Sequence, residues 1–262
     1  MRGNRWLLLV LLPALIGGGT PVRAANFASP FFRIQWLQGE GVVANFWGPS
    51  ATEGIMEAYT DTPGGSRLVQ YFDKGRMELT DPLSGGVTNG LLAKELVTGD
   101  QQIGSAATTH HDPPAIPVAG DPGGAGPTYA TLNTIGAPLL APAPNRGATA
   151  PTASFNDDGG LVVANGPTTG TILLRAYDTA TQHNVLAPFV DFRTRVGLSA
   201  IGYAISEPFR ATFTIAGAPK SIIVQVFERR VLTYTESNAD PFKTEFGNIG
   251  RHYYAWRYPK GG

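Results

Sequence analysis

The sequence predicts a mainly β protein with a few short helices, built as two related antiparallel β modules. Three observations predict it. Gly and Pro supply 33 and 21 of the 262 residues, a load of turn formers that suits short strands better than long helices. Apolar residues reach 42%, more than a disordered chain carries. A stretch that reads as a β-hairpin occurs twice along the chain, at matching internal spacing. A pseudo-twofold pair is the arrangement open to two such modules.

Composition excludes several classes of function. Charged residues are only 15%, and Lys plus Arg equal Asp plus Glu at 20 each. No bulk field points at an anionic polymer, so nucleic acid is not expected as a partner. With no Cys there is no disulfide, and the fold rests on its core alone.

Residues 1–24 read as a secretory signal peptide. Arg2 and Arg5 form a positive start, residues 6–16 are almost wholly apolar, and Val22-Arg23-Ala24 ends on a small residue. The apolar run is about 11 residues, short for a hydrocarbon core of about 30 Å. Its removal leaves 17 basic against 20 acidic residues. A secreted protein, extracellular or on the cell surface, is the expectation, with no membrane association after cleavage.

The repeat follows. Residues 68–80, from Leu68-Val69-Gln70-Tyr71-Phe72-Asp73-Lys74-Gly75 onward, match residues 223–235, from Ile223-Val224-Gln225-Val226-Phe227-Glu228-Arg229-Arg230 onward, at an offset of 155. Ser29-Pro30-Phe31 pairs with Ala187-Pro188-Phe189 at 158, and Gly90-Leu91-Leu92 with Gly247-Asn248-Ile249 at 157. Such drift means small loop insertions within one duplicated unit.

Each unit reads as a short helix, a strand and a hairpin. Residues 29–37 and 187–196 are the helices, with Ser29 a candidate N-cap, a Pro in each first turn and Gly197 a stop. Strands are expected at 56–60 and 211–215, ahead of the hairpins at 68–79 and 221–234. Gly75 suits a left-handed position closing a three-residue loop, which Arg230 in the second copy would meet with a changed loop or with strain. Residues 90–96 and 247–253 suit a short helix or strand equally. In 252–258 the alternation places Tyr254, Trp256 and Tyr258 on one strand face.

The rest divides by composition. Residues 112–127 and 136–152 are Pro- and Gly-rich and read as a semi-rigid connector, with a helical turn or two at 128–135. Residues 161–164 and 171–177 read as a hairpin across Asn165-Gly166 and Thr169-Gly170. The expected organisation is signal peptide 1–24, module 1 at 25–108, connector 109–152, and module 2 with its preceding hairpin at 153–262.

The run Val69 to Leu79 and the entry Gly202-Tyr203-Ala204-Ile205-Ser206-Glu207-Pro208-Phe209, followed by Val224-Gln225-Val226-Phe227-Glu228-Arg229, resemble a repeat module of secreted bacterial surface proteins. The pattern is similar, more distantly, to LGFP repeats, from which it departs at Ala204. The resemblance implies an extracellular, wall-facing role and no catalytic one.

Chemistry candidates are few. His110-His111-Asp112 resembles a metal cluster, but neighbouring side chains on an extended segment diverge, and no metal or other cofactor is expected. Asp73 and Glu228 recur at one place in both copies. With Glu207 they are the acids available to a glycan hydrolase, or they simply open hairpin loops. Asn156-Asp157-Asp158-Gly159 lacks the later Glu of a calcium loop and reads as a turn. Sugar stacking falls to Trp36, Trp47, Tyr254, Trp256 and Tyr258, with Arg229 and Arg251 as polar contacts. The leading expectation is a non-catalytic binding protein whose partner is cell-wall glycan or another surface protein. The alternative is a secreted glycan-acting hydrolase.

Overall fold

The computed structural model describes residues 26–163 and 172–259. Strand outweighs helix, 31% against 24%, and the sheets are largely antiparallel.

Helix α1 (Pro30–Val42) starts where expected: the Ser29 hydroxyl accepts from the Phe31 N–H, and Pro30 sits in the first turn. Strands β1 (Ile55–Ala58), β2 (Ser66–Phe72), β3 (Gly75–Asp81) and β4 (Gly86–Asn89) form an antiparallel meander in chain order, closed by α2 (Leu92–Thr98). A small ribbon, β5 (Asp100–Gln102) with β6 (Thr108–His110), and two short helices, α3 (Tyr129–Asn133) and α4 (Ala137–Leu140), follow. Strands β7 (Ala153–Phe155) and β8 (Leu161–Val163) pair, as do β9 (Leu174–Asp178) and β10 (His183–Leu186). Helices α5 (Ala187–Val196) and α6 (Leu198–Ile201) lead into a second antiparallel meander, β11 (Phe209–Ile215), β12 (Ala218–Val226), β13 (Val231–Tyr234) and β14 (Thr244–Phe246). Helix α7 (Ile249–Arg257) closes it. Strand β7 adds to this sheet in parallel with β11 and brings β8 with it, which makes six strands. Among the described residues no helix is long and apolar enough to cross a membrane.

The two meanders have the same order of elements: helix, four strands, helix. Both faces of their central strands are buried. Along β12, Ile222, Val224 and Val226 point into one apolar cluster, while Ile223 enters another, joined just past the strand end by Phe227. Each cluster draws from both halves, the first with Val69 and Leu96 beside Phe213 and Ile249, the second with Phe32 and Met77 beside Phe189 and Leu232. No strand of the four-stranded sheet pairs with the six-stranded one among the described residues. The halves join through side chains and helix ends rather than through a shared sheet edge.

Four expectations are corrected. Residues 252–258 are not a strand; 252–257 belong to α7 and Tyr258 caps it, because Ile249, His252 and Tyr253 recur at helical spacing and are buried positions. The turn after β2 holds two residues, since Phe72 pairs with Gly75. Neither Gly75 nor Arg230 adopts a positive φ. Among the described residues the strands expected to pair as a hairpin, 161–164 and 171–177, do not pair with each other. Strand β8 instead folds back on β7 across Asn156-Asp157-Asp158-Gly159, and β9 pairs with β10 across a four-residue turn, the nearer partner in each case. Its linking residues 164–171 lie outside the described ones. Finally, the stretch read as a connector is packed: Val118, Tyr129, Leu132 and Leu139 are buried in the first apolar cluster.

Candidate functional site

The repeated Gln occupies a structural post in each half. Gln70 Nε2 donates to the Asn26 and Thr52 carbonyls, and its Oε1 accepts from the Ala28 N–H. Gln225 Nε2 donates to the Asn184 and Ser206 carbonyls, and its Oε1 accepts from the Leu186 N–H. Beside them the Thr52 hydroxyl accepts from the Tyr71 N–H, and the Ser206 hydroxyl from the Val226 N–H.

The repeated acid is equally local. The Asp73 N–H donates to the Ser50 carbonyl while its carboxylate accepts from the Ser50 N–H at 2.9 Å. The Glu228 N–H donates to the Tyr203 carbonyl while its carboxylate accepts from the Tyr203 N–H at 3.0 Å. Left-handed glycines, Gly48 and Gly202, let these loops approach; a Cβ on either would lie 2.7 Å from the acid's own Cβ. Loop closure is therefore what both acids do in the fold. Glu207 is buried elsewhere, accepting from the Asn184 N–H and side-chain amide near His183 and Arg146.

The hairpin turns also receive the closing helices crosswise. The Gly250 and Arg251 N–H groups at the start of α7 donate to the Asp73 carbonyl. The Lys94 N–H at the start of α2 donates to the Glu228 carbonyl. Each half's last helix caps the other half's hairpin.

The first of these junctions holds a cavity of about 290 Å³ between residues 50–52, the end of β2 and α7. Tyr71 and Tyr254 wall it, their rings edge to face with centroids 5.3 Å apart. At one side Arg251 Nε donates to Asp73 Oδ1, and its Nη2 donates to the Ser50 hydroxyl at 3.1 Å. This pocket brings together three sequence candidates: Asp73, Arg251 and Tyr254. The Asp73 carboxylate is buried and engaged by Ser50 and Arg251, so what the cavity offers is an apolar, aromatic wall that can stack on a ring, with the exposed Arg251 guanidinium at its rim.

The Tyr71 hydroxyl enters a buried charge network. Arg76 Nε donates to Glu78 at 2.8 Å, and its Nη1 reaches Glu57 at 3.2 Å and the Tyr71 hydroxyl at 3.1 Å. Arg67 pairs with Glu78, and Arg257 with Glu57. Burial opposes the charge on Arg76, yet the surrounding Tyr71, Glu78, Tyr253 and Glu57 hold it protonated. Burial pushes the Tyr71 and Tyr253 hydroxyls up, and the Tyr258 hydroxyl, bonded to Glu57, up to about 12. It raises the Glu95 carboxyl too, against the pull of Arg76. The Tyr71 wall of the cavity is thus held in place by Glu57 and Arg76. Sequence reading missed Ser50, Tyr71, Gly250 and Arg76. The local sign of the last is Glu78 two residues beyond Arg76 on one face of β3; Glu57 and Glu95 arrive from more distant stretches.

The remaining candidates do not form one platform. Trp47 is fully buried, packed on Phe46 and Phe72, which removes it as a sugar-stacking residue. Trp36 is half-buried beside Phe27 in the second apolar cluster. Trp256 donates from its indole to the Asp112 carbonyl, near His111 and away from the lining of the cavity. Tyr258, just past the end of α7, packs with its ring 5.0 Å from that of Tyr254. Arg229 reaches the Asn89 carbonyl at the other junction. The histidines stay separate: His110 pairs with Asp100, and Tyr129 bonds to His252, whose imidazole burial lowers to about 4. No group of three metal-binding side chains converges among the described residues.

Compared with family models, with curated proteins and with solved structures, the chain finds no match in any of the three.

Proposed function

We propose that this is a secreted, non-catalytic binding protein of the cell surface or wall, and that it seats one sugar ring of a wall glycan in the cavity between residues 50–52 and α7. One observation carries the reading: the Tyr254 ring, the Arg251–Asp73 pair and the Ser50 hydroxyl converge on one cavity of about 290 Å³. That volume falls just short of the about 300 Å³ at which ligand pockets begin, and suits a single ring rather than an extended substrate. The duplicated Gln posts, the duplicated acid loops and the crosswise helices favour descent from one copied module, paired about a pseudo-twofold axis. The apolar 1–24 segment favours export. A hydrolase reading finds less support, since Asp73, Glu207 and Glu228 each already serve backbone N–H groups.

Retention of the purified protein on wall polysaccharide tests the proposal. Saturable retention, lost in Tyr254→Ala and Arg251→Ala with circular dichroism unchanged, is the expected result. Retention that survives both changes, or none on any wall fraction, overturns it. Release of reducing sugar from the same polysaccharide, abolished by Asp73→Asn, would favour the hydrolase instead.

A further inference from the structure

We propose a second binding site, independent of the first, at the seam where α1, α5 and β14 meet: a pocket for a small organic acid carrying an apolar ring. A cavity of about 190 Å³ lies there. Phe192, Phe242 and Phe246 supply its apolar walls, and Lys74, Arg195 and Glu245 its charged ones. Phe246 and Phe192 meet edge to face with centroids 4.9 Å apart, and Phe242 is 54% exposed. A cavity of about 150 Å³ holds benzene, so one six-membered ring fits.

Charge argues for the acid. Two cations line the cavity against one carboxylate. The other acids near Lys74 are engaged: Glu40 accepts from the Asn45 and Trp47 N–H groups, and Asp73 is paired with Arg251. Behind the Phe246 ring lies Arg230, only 1% exposed, its guanidinium 4.9 Å from that ring's centroid. Arg230 also faces Phe46 and Trp47, at 5.3 and 4.8 Å. It pairs with no carboxylate among the described residues, and neither terminal nitrogen has a hydrogen-bond partner there. The other fully buried arginine, Arg76, stands among Glu57, Glu78 and Glu95. The Arg230 Nε donates to the Ala200 carbonyl, but with ring faces as its other partners the buried cation is left without a counter-charge, and that field reaches the cavity through low-dielectric material. Burial and the neighbouring Arg229 bring the Arg230 guanidinium down to about 9, the mark of a charge in want of a counter-ion.

The carboxylate would lie between the Lys74 ammonium and the Arg195 guanidinium, with its ring against the phenylalanines. Titration of the purified protein with benzoate, benzyl alcohol and benzylamine, followed by calorimetry, tests this. Benzoate should bind saturably, benzyl alcohol about tenfold more weakly, and benzylamine not at all. Lys74→Met and Arg195→Gln should each weaken benzoate several-fold while leaving benzyl alcohol unchanged. Arg195 is exposed, so its variant keeps the test open if Lys74→Met fails to fold. Equal binding of benzoate and benzyl alcohol, no saturable benzoate binding, or benzoate binding untouched in Arg195→Gln would each overturn the proposal. Wall-polysaccharide retention should not respond to either variant, which separates this site from the first.

Discussion

Gln70 and Gln225 make the same three hydrogen bonds in their two halves. Each ties the segment ahead of an entry helix and the loop ahead of a meander to the middle of a hairpin strand. Both side chains are completely buried, so a Leu in either place would strand two carbonyls and an N–H. Unpaired buried groups cost about 1–3 kcal/mol each, part of which relaxation recovers, so Gln70→Leu and Gln225→Leu should each lower the unfolding free energy by about 3 kcal/mol. Urea unfolding measures it; a loss below about 1 kcal/mol would mean that the posts are dispensable.

Gly75 and Arg230 occupy one repeat position and touch across the seam. A Cβ on Gly75 would lie 2.6 Å from Arg230 Nη1. Gly75→Ala should cost about 2 kcal/mol, because the ring-caged guanidinium has little room to yield. In an Arg230→Ala background most of that cost should vanish. A double-mutant cycle reads the coupling, and additive losses would refute it.

Two glycines should behave oppositely. A Cβ at Gly250 would meet the Phe72 carbonyl oxygen at 1.9 Å, whereas at Gly41 nothing lies within 4 Å. Gly250→Ala should therefore destabilise by about 3 kcal/mol or more as α7 lifts from the first hairpin. Gly41→Ala, in α1, should stabilise by about 0.5 kcal/mol through helix propensity. Thermal unfolding distinguishes them.

Acid should weaken the fold through His252. Burial, helped by Arg251, lowers its imidazole from 6.5 to about 4. The unfolded chain then binds a proton that the folded chain refuses, so stability present above about pH 6.5 is lost as the pH falls toward 4. A shift of this size is worth about 3 kcal/mol. Glu95, raised by burial, works the other way, because the folded state takes its proton first as the pH falls. His252→Gln should flatten the slope between pH 6.5 and 4.5, and Glu95→Gln should steepen it, as followed by urea midpoints. An unchanged slope in His252→Gln would sink the assignment.

The two meanders were legible in the chain because their signals are local. Alternating apolar runs, the turn at 63–65, Ser29 with Pro30, and the recurring Val-Gln-x-Phe-acid ribbon each specify backbone over a few residues, and β2, β3, β12 and β13 lie where those signals put them. The repeat also marked Gln70 and Gln225 as a pair before any contact was known. Three of the cavity's residues, Asp73, Arg251 and Tyr254, are legible in the sequence by their chemistry alone.

What only the tertiary structure decided is everything that crosses the chain. Residues 252–258 alternate like a strand, yet burial of Ile249, His252 and Tyr253 against distant elements places 252–257 in a helix. Trp47 reads as a sugar platform until Phe46, Phe72 and Arg230 enclose it. Gly75 looks like a turn residue but is small for the sake of a guanidinium 155 positions away. The reason is common to all three: local pattern sets backbone preference, whereas burial and charge pairing depend on which remote side chains arrive, and those were chosen by the packing of the two halves.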